Sequence, residues 1–158
     1  MSRAIRLLIS TLAVAFLCAG LVTAPGSTNS ASALSGSEFQ AGNIISDDAF
    51  YDSNAMSEAE IQSFLDAKIG TCQNSNCLNV KRTTTFDRAA DRNVCGTYTG
   101  APNELASAII FKVQRACGIS AKVLLVTLQK EQSLVTHTAP TDFRLSRAMG
   151  YGCPDSAG

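Results

Sequence analysis

The sequence predicts a mainly α-helical domain with a long loop that is held by disulfides. Three segments carry apolar residues at three- and four-residue spacing, each between signals that start and stop a helix. Residues 71–102, between the first two segments, are rich in Asn, Thr and Gly and contain few apolar side chains. Cysteines lie within this stretch and just beyond it, which favours a loop pinned by cross-links.

Residues 1–33 have the composition of a secretory signal peptide. "MSRAIR" carries two arginines, "LLISTLAVAFLCAGLV" is apolar, and small residues follow. Cleavage fits after Ala33 in "ASA", or after Ala24, where the following Pro25 is unfavourable. An uncleaved anchor is the alternative, but the apolar run is short for a membrane span. We therefore expect a secreted or cell-surface protein with no stable membrane insertion after cleavage.

Residues 34–40 are predicted to be a flexible linker, and residues 41–158 a single folded domain. The chain of 158 residues carries 13 basic and 13 acidic side chains with no basic block. Nucleic-acid binding requires a dense cationic footprint, so this class of partner is disfavoured.

After removal of Cys18 with the signal peptide, the cysteines that remain are Cys72, Cys77, Cys95, Cys117 and Cys153. Export to an oxidising compartment predicts disulfides. A zinc site is the alternative, but the spacings are irregular and contain no C-x-x-C pair, so no metal is expected. Pairing of Cys72 with Cys77 and of Cys95 with Cys117 is one arrangement among several. Cys153 is either free or paired between chains, or its partner lies downstream of a chain truncated at its C-terminus, which we favour.

The first clear helix is predicted to begin after Ser57. Glu60, three residues later, completes a capping box with Ser57, and Gly70 ends the helix. Its apolar face consists of Ile61, Phe64 and Leu65. The following loop includes "CLNVKRTTTF", which is predicted as a short strand. A long loop of this kind either forms the wall of a groove or is a surface loop without function.

Two further helices are predicted to form a tight αα-hairpin. Asn103 is expected to cap the second helix and Gly118 to end it, and Ser120 then caps the third. The apolar stripe predicted for the second helix is Leu105, Ile109, Val113 and Cys117. Residues 123–126 of the third helix are apolar on every side, which predicts burial of most of its faces.

Glu131 stands at the end of this third helix and extends its apolar stripe. It follows Leu124 by seven residues and Leu128 by three, so all three residues share one face. Burial and the negative end of the helix dipole would both disfavour an anion there. A carboxyl group kept protonated in this way suits a general acid. A solvated, mixed-charge helix end beside Lys130 is the alternative.

"AKVLLVTLQKEQS" resembles the helix of the lysozyme-like superfamily that ends in a catalytic glutamate, as in goose-type lysozymes and soluble lytic transglycosylases. "SRAMGYG" is similar to the later turn that forms the other side of the sugar cleft in that superfamily. The stretch from "CGISAKVLLVTLQKEQSLVT" to "AMGYGCPD" also resembles the N-terminal module of secreted actinobacterial haemagglutinin-like and peptidoglycan hydrolase proteins, and the resemblance as a whole covers roughly residues 103–155. The resemblance implies an incomplete lysozyme-like domain that acts on peptidoglycan and needs no cofactor.

The resemblance also assigns roles to individual residues. Glu131 would protonate the glycosidic oxygen, and Gln132, Gly150 and Tyr151 would contact the sugar. For Tyr151, which stands between two glycines, a plain turn is the alternative. Gln132 departs from the family, which usually has Ser or Thr at this position, and no "LMQ" follows Gly152. A non-catalytic module that binds the cell surface is the alternative function.

Three other polar residues are weaker candidates. Asp142 or Asp155 would supply the second carboxylate of a two-carboxylate glycosidase, although both occur in turn sequences. His137 is the only histidine of the chain and is expected to be structural.

Overall fold

The computed structural model describes Ser37, residues 41–92 and residues 94–150. Residues 41–92 and 94–150 belong to one compact unit, Gln40–Gly158, which is the folded domain considered below. The predicted signal peptide lies outside the described residues, as does the linker apart from Ser37. Tyr151, Cys153 and Asp155 also lie outside them.

The described part of this domain is mainly helical, as predicted. Its α-helices are α1 (Asp47–Phe50), α2 (Glu58–Ile69), α3 (Ala106–Cys117), α4 (Ala121–Gln132) and α5 (Asp142–Ser146), and a 3-10 turn (Ala148–Gly150) follows. Two short strands, β1 (Arg82–Thr83) and β2 (Glu104–Leu105), pair antiparallel. No helix in the described residues is long and apolar enough to cross a membrane.

Helix α2 begins and ends where the sequence predicts. The Ser57 side chain accepts the Glu60 N–H at 3.3 Å, and the Glu60 carboxylate accepts the Ser57 N–H at 2.8 Å. This capping box satisfies two N–H groups that the first turn of a helix leaves unpaired. Gly70, with a φ of 65°, then ends the helix. The buried face of α2 consists of Ile61, Leu65 and Ile69.

Helix α3 differs from the prediction in its start and in its register. Asn103 does not cap it; Asn103 has a φ of 55°, and the next two residues form β2. The helix begins only after Leu105, which provides no side-chain cap. Its buried residues are Ala106, Ser107, Ile110 and Gln114. The predicted stripe of Leu105, Ile109, Val113 and Cys117 is only half-buried, so that prediction was wrong.

Gln114 joins three parts of the core, which explains how a polar side chain can be fully buried on α3. Its amide nitrogen donates to the Met56 carbonyl at 2.8 Å. Its carbonyl oxygen accepts the Ala121 N–H at 2.9 Å and the Met56 N–H at 3.3 Å. The polar atoms of the side chain are therefore satisfied without water, as burial of an amide requires.

Helix α4 is capped by Ser120, as predicted, and buries Leu124, Leu125 and Leu128. The predicted burial of most faces across residues 123–126 holds for three of the four: Leu124 and Leu125 are buried and Val123 is half-buried. Val126 is 66% exposed, because α3 covers only one side of α4 and leaves Val126 facing outward.

The loop between α2 and α3 is an irregular hairpin pinned by two disulfides, Cys72–Cys77 and Cys95–Cys117. This is the pairing that the sequence left as one of several. The strand predicted within "CLNVKRTTTF" exists but is limited to β1. Isolated bridges extend the hairpin beyond it, joining Arg88 to Tyr98 and Asp91 to Cys95. The disulfides are compatible with an extracellular protein.

Candidate active site

Glu131 lies in the last turn of α4, at the end of the buried stripe of Leu124 and Leu128. Its side chain is 33% exposed, so the carboxylate is half-buried and still reaches solvent. The helix stops two residues later at Ser133, whose backbone has a φ of 58° and whose N–H returns to the Gln129 carbonyl. The stop leaves Glu131 at the edge of the core.

The 3-10 turn at Ala148–Gly150 packs against this end of α4. Met149 and Gly150 have φ values of 62° and 76°, which turn the chain sharply. A Cβ placed on Gly150 would lie 3.9 Å from Glu131 Oε2. The described part of the "AMGYG" sequence therefore lies directly beside the carboxylate with which it was paired by resemblance.

Two cationic side chains, Lys130 and Arg144, contact this helix end. Lys130 Nζ lies 3.3 Å from Glu131 Oε1, but the Lys130 side chain is 79% exposed. Arg144 donates to the Gln132 carbonyl at 3.1 Å, and Arg147 stacks on Phe143 at 3.6 Å. Cations at this position complement the negative end of the helix dipole. Lys130 thus contacts the Glu131 carboxylate itself, whereas the contacts of Arg144 and Arg147 are with Gln132 and Phe143.

The other predicted site residues are placed less favourably for chemistry. The half-buried Gln132 is tied to α5 through its backbone carbonyl. Asp142 Oδ1 accepts a hydrogen bond from Asn76 at 3.0 Å, which links α5 to the Cys72–Cys77 loop. His137 Nδ1 accepts the Ala139 N–H at 3.1 Å and so shapes a local turn. Asp142 and His137 therefore have structural partners away from Glu131.

Sequence reasoning missed a buried polar cluster at the base of the long loop. Glu104 is only 8% exposed and pairs with Lys112 of α3. It also accepts hydrogen bonds from the hydroxyls of Thr85 and Tyr98, the latter at 3.1 Å. These contacts fasten the loop hairpin to α3. The cluster joins residues far apart in the chain, so no local pattern indicates it.

The pKa values in this cluster move in the directions that stabilise an ion pair. The bond from Lys112, followed by that from Thr85, lowers the pKa of Glu104. The same bond to Glu104 raises the pKa of Lys112. Burial raises the pKa of Tyr98, which keeps its hydroxyl neutral. These shifts keep Glu104 and Lys112 charged and Tyr98 neutral, which suits a structural ion pair better than a site of proton transfer.

Comparison with protein-family models, with curated proteins and with solved structures finds no match to this chain. Within the described residues, no group of three or more His, Cys, Asp or Glu side chains is arranged to hold a metal ion.

Proposed function

We propose that this protein is a secreted domain that cleaves cell-wall glycans, with Glu131 as its general acid and base. The proposal depends on one observation: the half-buried Glu131 carboxylate lies against Gly150, in the turn that resembles the far wall of a sugar cleft. A carboxyl group between a helix end and a turn is open on one side to a glycosidic oxygen.

The reaction requires only one carboxyl group. Protonated Glu131 gives its proton to the glycosidic oxygen as the bond to C1 of the N-acetylmuramoyl residue breaks. The resulting Glu131 carboxylate then takes the proton from the 6-hydroxyl of that residue, whose oxygen closes on C1 to form an anhydro ring. No water is consumed and Glu131 is regenerated. Lys130 would provide a counter-charge to the carboxylate between the two steps.

The alternative function is a module that binds cell-surface glycans without cleaving them. The Lys130–Glu131 contact favours it, because this geometry is that of an ordinary surface ion pair. Gln132, which replaces the Ser or Thr of the family, also favours it.

Incubation of the protein with purified peptidoglycan separates the two functions. Mass spectrometry of the soluble fraction detects released fragments, and sedimentation of the insoluble fraction measures binding. Release of fragments with anhydro ends would support the cleavage proposal. Binding without release would support the binding module, and the absence of both would contradict both functions.

A further inference from the structure

A groove lies between α2 and α4 on a different part of α4 from Glu131. Both helices pack on α3 and leave a cleft of about 490 Å³ between them. Apolar side chains form most of its lining, namely Met56, Phe64, Leu125, Val126 and Val135. We name this cleft the α2–α4 groove. Its volume falls in the range of small-molecule sites, about 300–1,000 Å³.

Two rows of side chains at helical spacing, one on α2 and one on α4, line this groove. Phe64 and Lys68 are four residues apart on α2, and Lys122, Val126 and Gln129 are spaced by four and three on α4. The α4 row spans seven residues, a length of about 10 Å at the rise of an α-helix. An extended hydrocarbon chain of roughly nine carbons covers a similar distance, given C–C bonds of about 1.5 Å.

The two lysines of the groove, Lys122 and Lys68, differ in whether an acidic side chain lies near them. Lys122 already faces an acid: the pKa of Glu60 is lowered first by the Ser57 backbone and side-chain bonds, and further by the charge of Lys122. Lys68 lies over the Phe64 ring, 5.7 Å from its centroid, and has no ion pair among the described residues. An anion bound in the groove would therefore be placed next to Lys68.

We propose that the α2–α4 groove binds a free fatty acid, with its carboxylate at Lys68 and its chain on Phe64, Leu125 and Val126. The apolar floor matches the hydrocarbon chain, and the Lys68 ammonium, which has no ion pair among the described residues, matches the carboxylate. A protein partner would need about 800 Å² on each side, contributed by some 20–30 residues, which exceeds the nine that line this groove. This proposal is independent of the role of Glu131.

Decanoate and the uncharged decanol are the probes, titrated by calorimetry against the full chain at concentrations below micelle formation. The wild type is expected to bind decanoate saturably and more tightly than decanol. Lys68→Gln should weaken decanoate binding about two- to fivefold, the range of an exposed ion pair, and leave decanol binding unchanged. Lys130→Gln is the matched control, since Lys130 lies outside the groove, and should change neither.

Val126→Asn tests the floor of the groove without disturbing the core, because Val126 is mostly exposed. It should weaken both probes about tenfold, since a polar group replaces buried apolar contact. Absence of saturable decanoate binding by the folded wild type would overturn the proposal. Equal binding by all four proteins would overturn it as well. A concentration-dependent dimer that Val126→Asn abolishes would also overturn it, because a second copy would then occupy the groove.

Discussion

Gly150 lies directly beside the Glu131 carboxylate. A Cβ added to Gly150, whose φ is 76°, would stand 3.9 Å from Glu131 Oε2. That distance is ordinary van der Waals contact, so the space beside the carboxylate would admit a methyl group. The backbone conformation is the restrictive feature, because residues with a Cβ rarely adopt it.

Gly150→Ala is therefore expected to strain the turn by about 1 kcal/mol rather than to clash with Glu131. Gly150→Asn is the matched control, since Asn tolerates left-handed backbone better than Ala does. Urea unfolding should rank the wild type above the Asn variant and the Asn variant above the Ala variant. An Ala variant as stable as the wild type would show that the turn does not depend on this conformation.

Glu104 gives the domain a pH dependence with a defined sign. Its pKa is lowered in the folded state, so the unfolded chain binds more protons as the pH falls. The stabilisation is therefore complete above its ordinary pKa of 4.5 and is lost as the pH drops through the lower folded value. Glu104→Gln should be less stable at pH 7 and should lose less stability on acidification than the wild type. Unfolding curves measured from pH 7 to pH 3 check this, and parallel losses in the two proteins would contradict it.

Gln114 is expected to be among the most sensitive positions of the core. Gln114→Leu retains similar volume but leaves the Ala121 N–H and both backbone polar groups of Met56 without the partners they now have. We expect a loss of about 2–4 kcal/mol in the free energy of unfolding. Gln129→Leu on α4 is the graded comparison, because the half-buried Gln129 side chain serves one backbone group, the Val135 N–H, where Gln114 serves three. A smaller loss at Gln114 than at Gln129 would contradict the central role of this amide.

The two disulfides should contribute unequally to stability. Cys95 and Cys117 are separated by 22 positions, and Cys72 and Cys77 by 5. Loop-closure entropy then predicts about 3 kcal/mol for the first bridge and about 2 kcal/mol for the second. Paired Cys→Ser variants compared by urea unfolding measure both. A larger loss for the Cys72–Cys77 variant would mean that the Asn76–Asp142 contact beside it depends on the bridge.

Features encoded in neighbouring residues could be read from the sequence. The Ser57–Glu60 capping box and the Ser120 cap were predicted correctly, because each depends on residues within one turn. The placement of Glu131 at the end of an apolar stripe also follows from helical spacing alone. The turn beside Glu131 was expected from resemblance, and its contact with the carboxylate needed the structure.

Features set by distant partners could not be read in this way. Pairing of β1 with β2 draws residues 104 and 105 out of the helix and shifts the register of α3. Ser107 and Gln114 then face the core, where Gln62 and the backbone satisfy their polar groups. A search for apolar residues at helical spacing does not identify these core positions, because Ser107 and Gln114 are polar. The Glu104 cluster could not be predicted either, because its partners Thr85 and Tyr98 lie in the irregular loop, where no regular spacing relates them to Glu104.

The rate of glycan release by Glu131→Gln tests the central claim most directly. Glu58→Gln is the matched control, since Glu58 is an exposed carboxylate in the first turn of α2. Both variants should fold as the wild type does, which circular dichroism and urea unfolding can verify. Our account predicts that Glu131→Gln releases fragments from peptidoglycan at least about 100-fold more slowly than Glu58→Gln, the usual range for loss of a general acid. Equal rates of release by the two variants would contradict it.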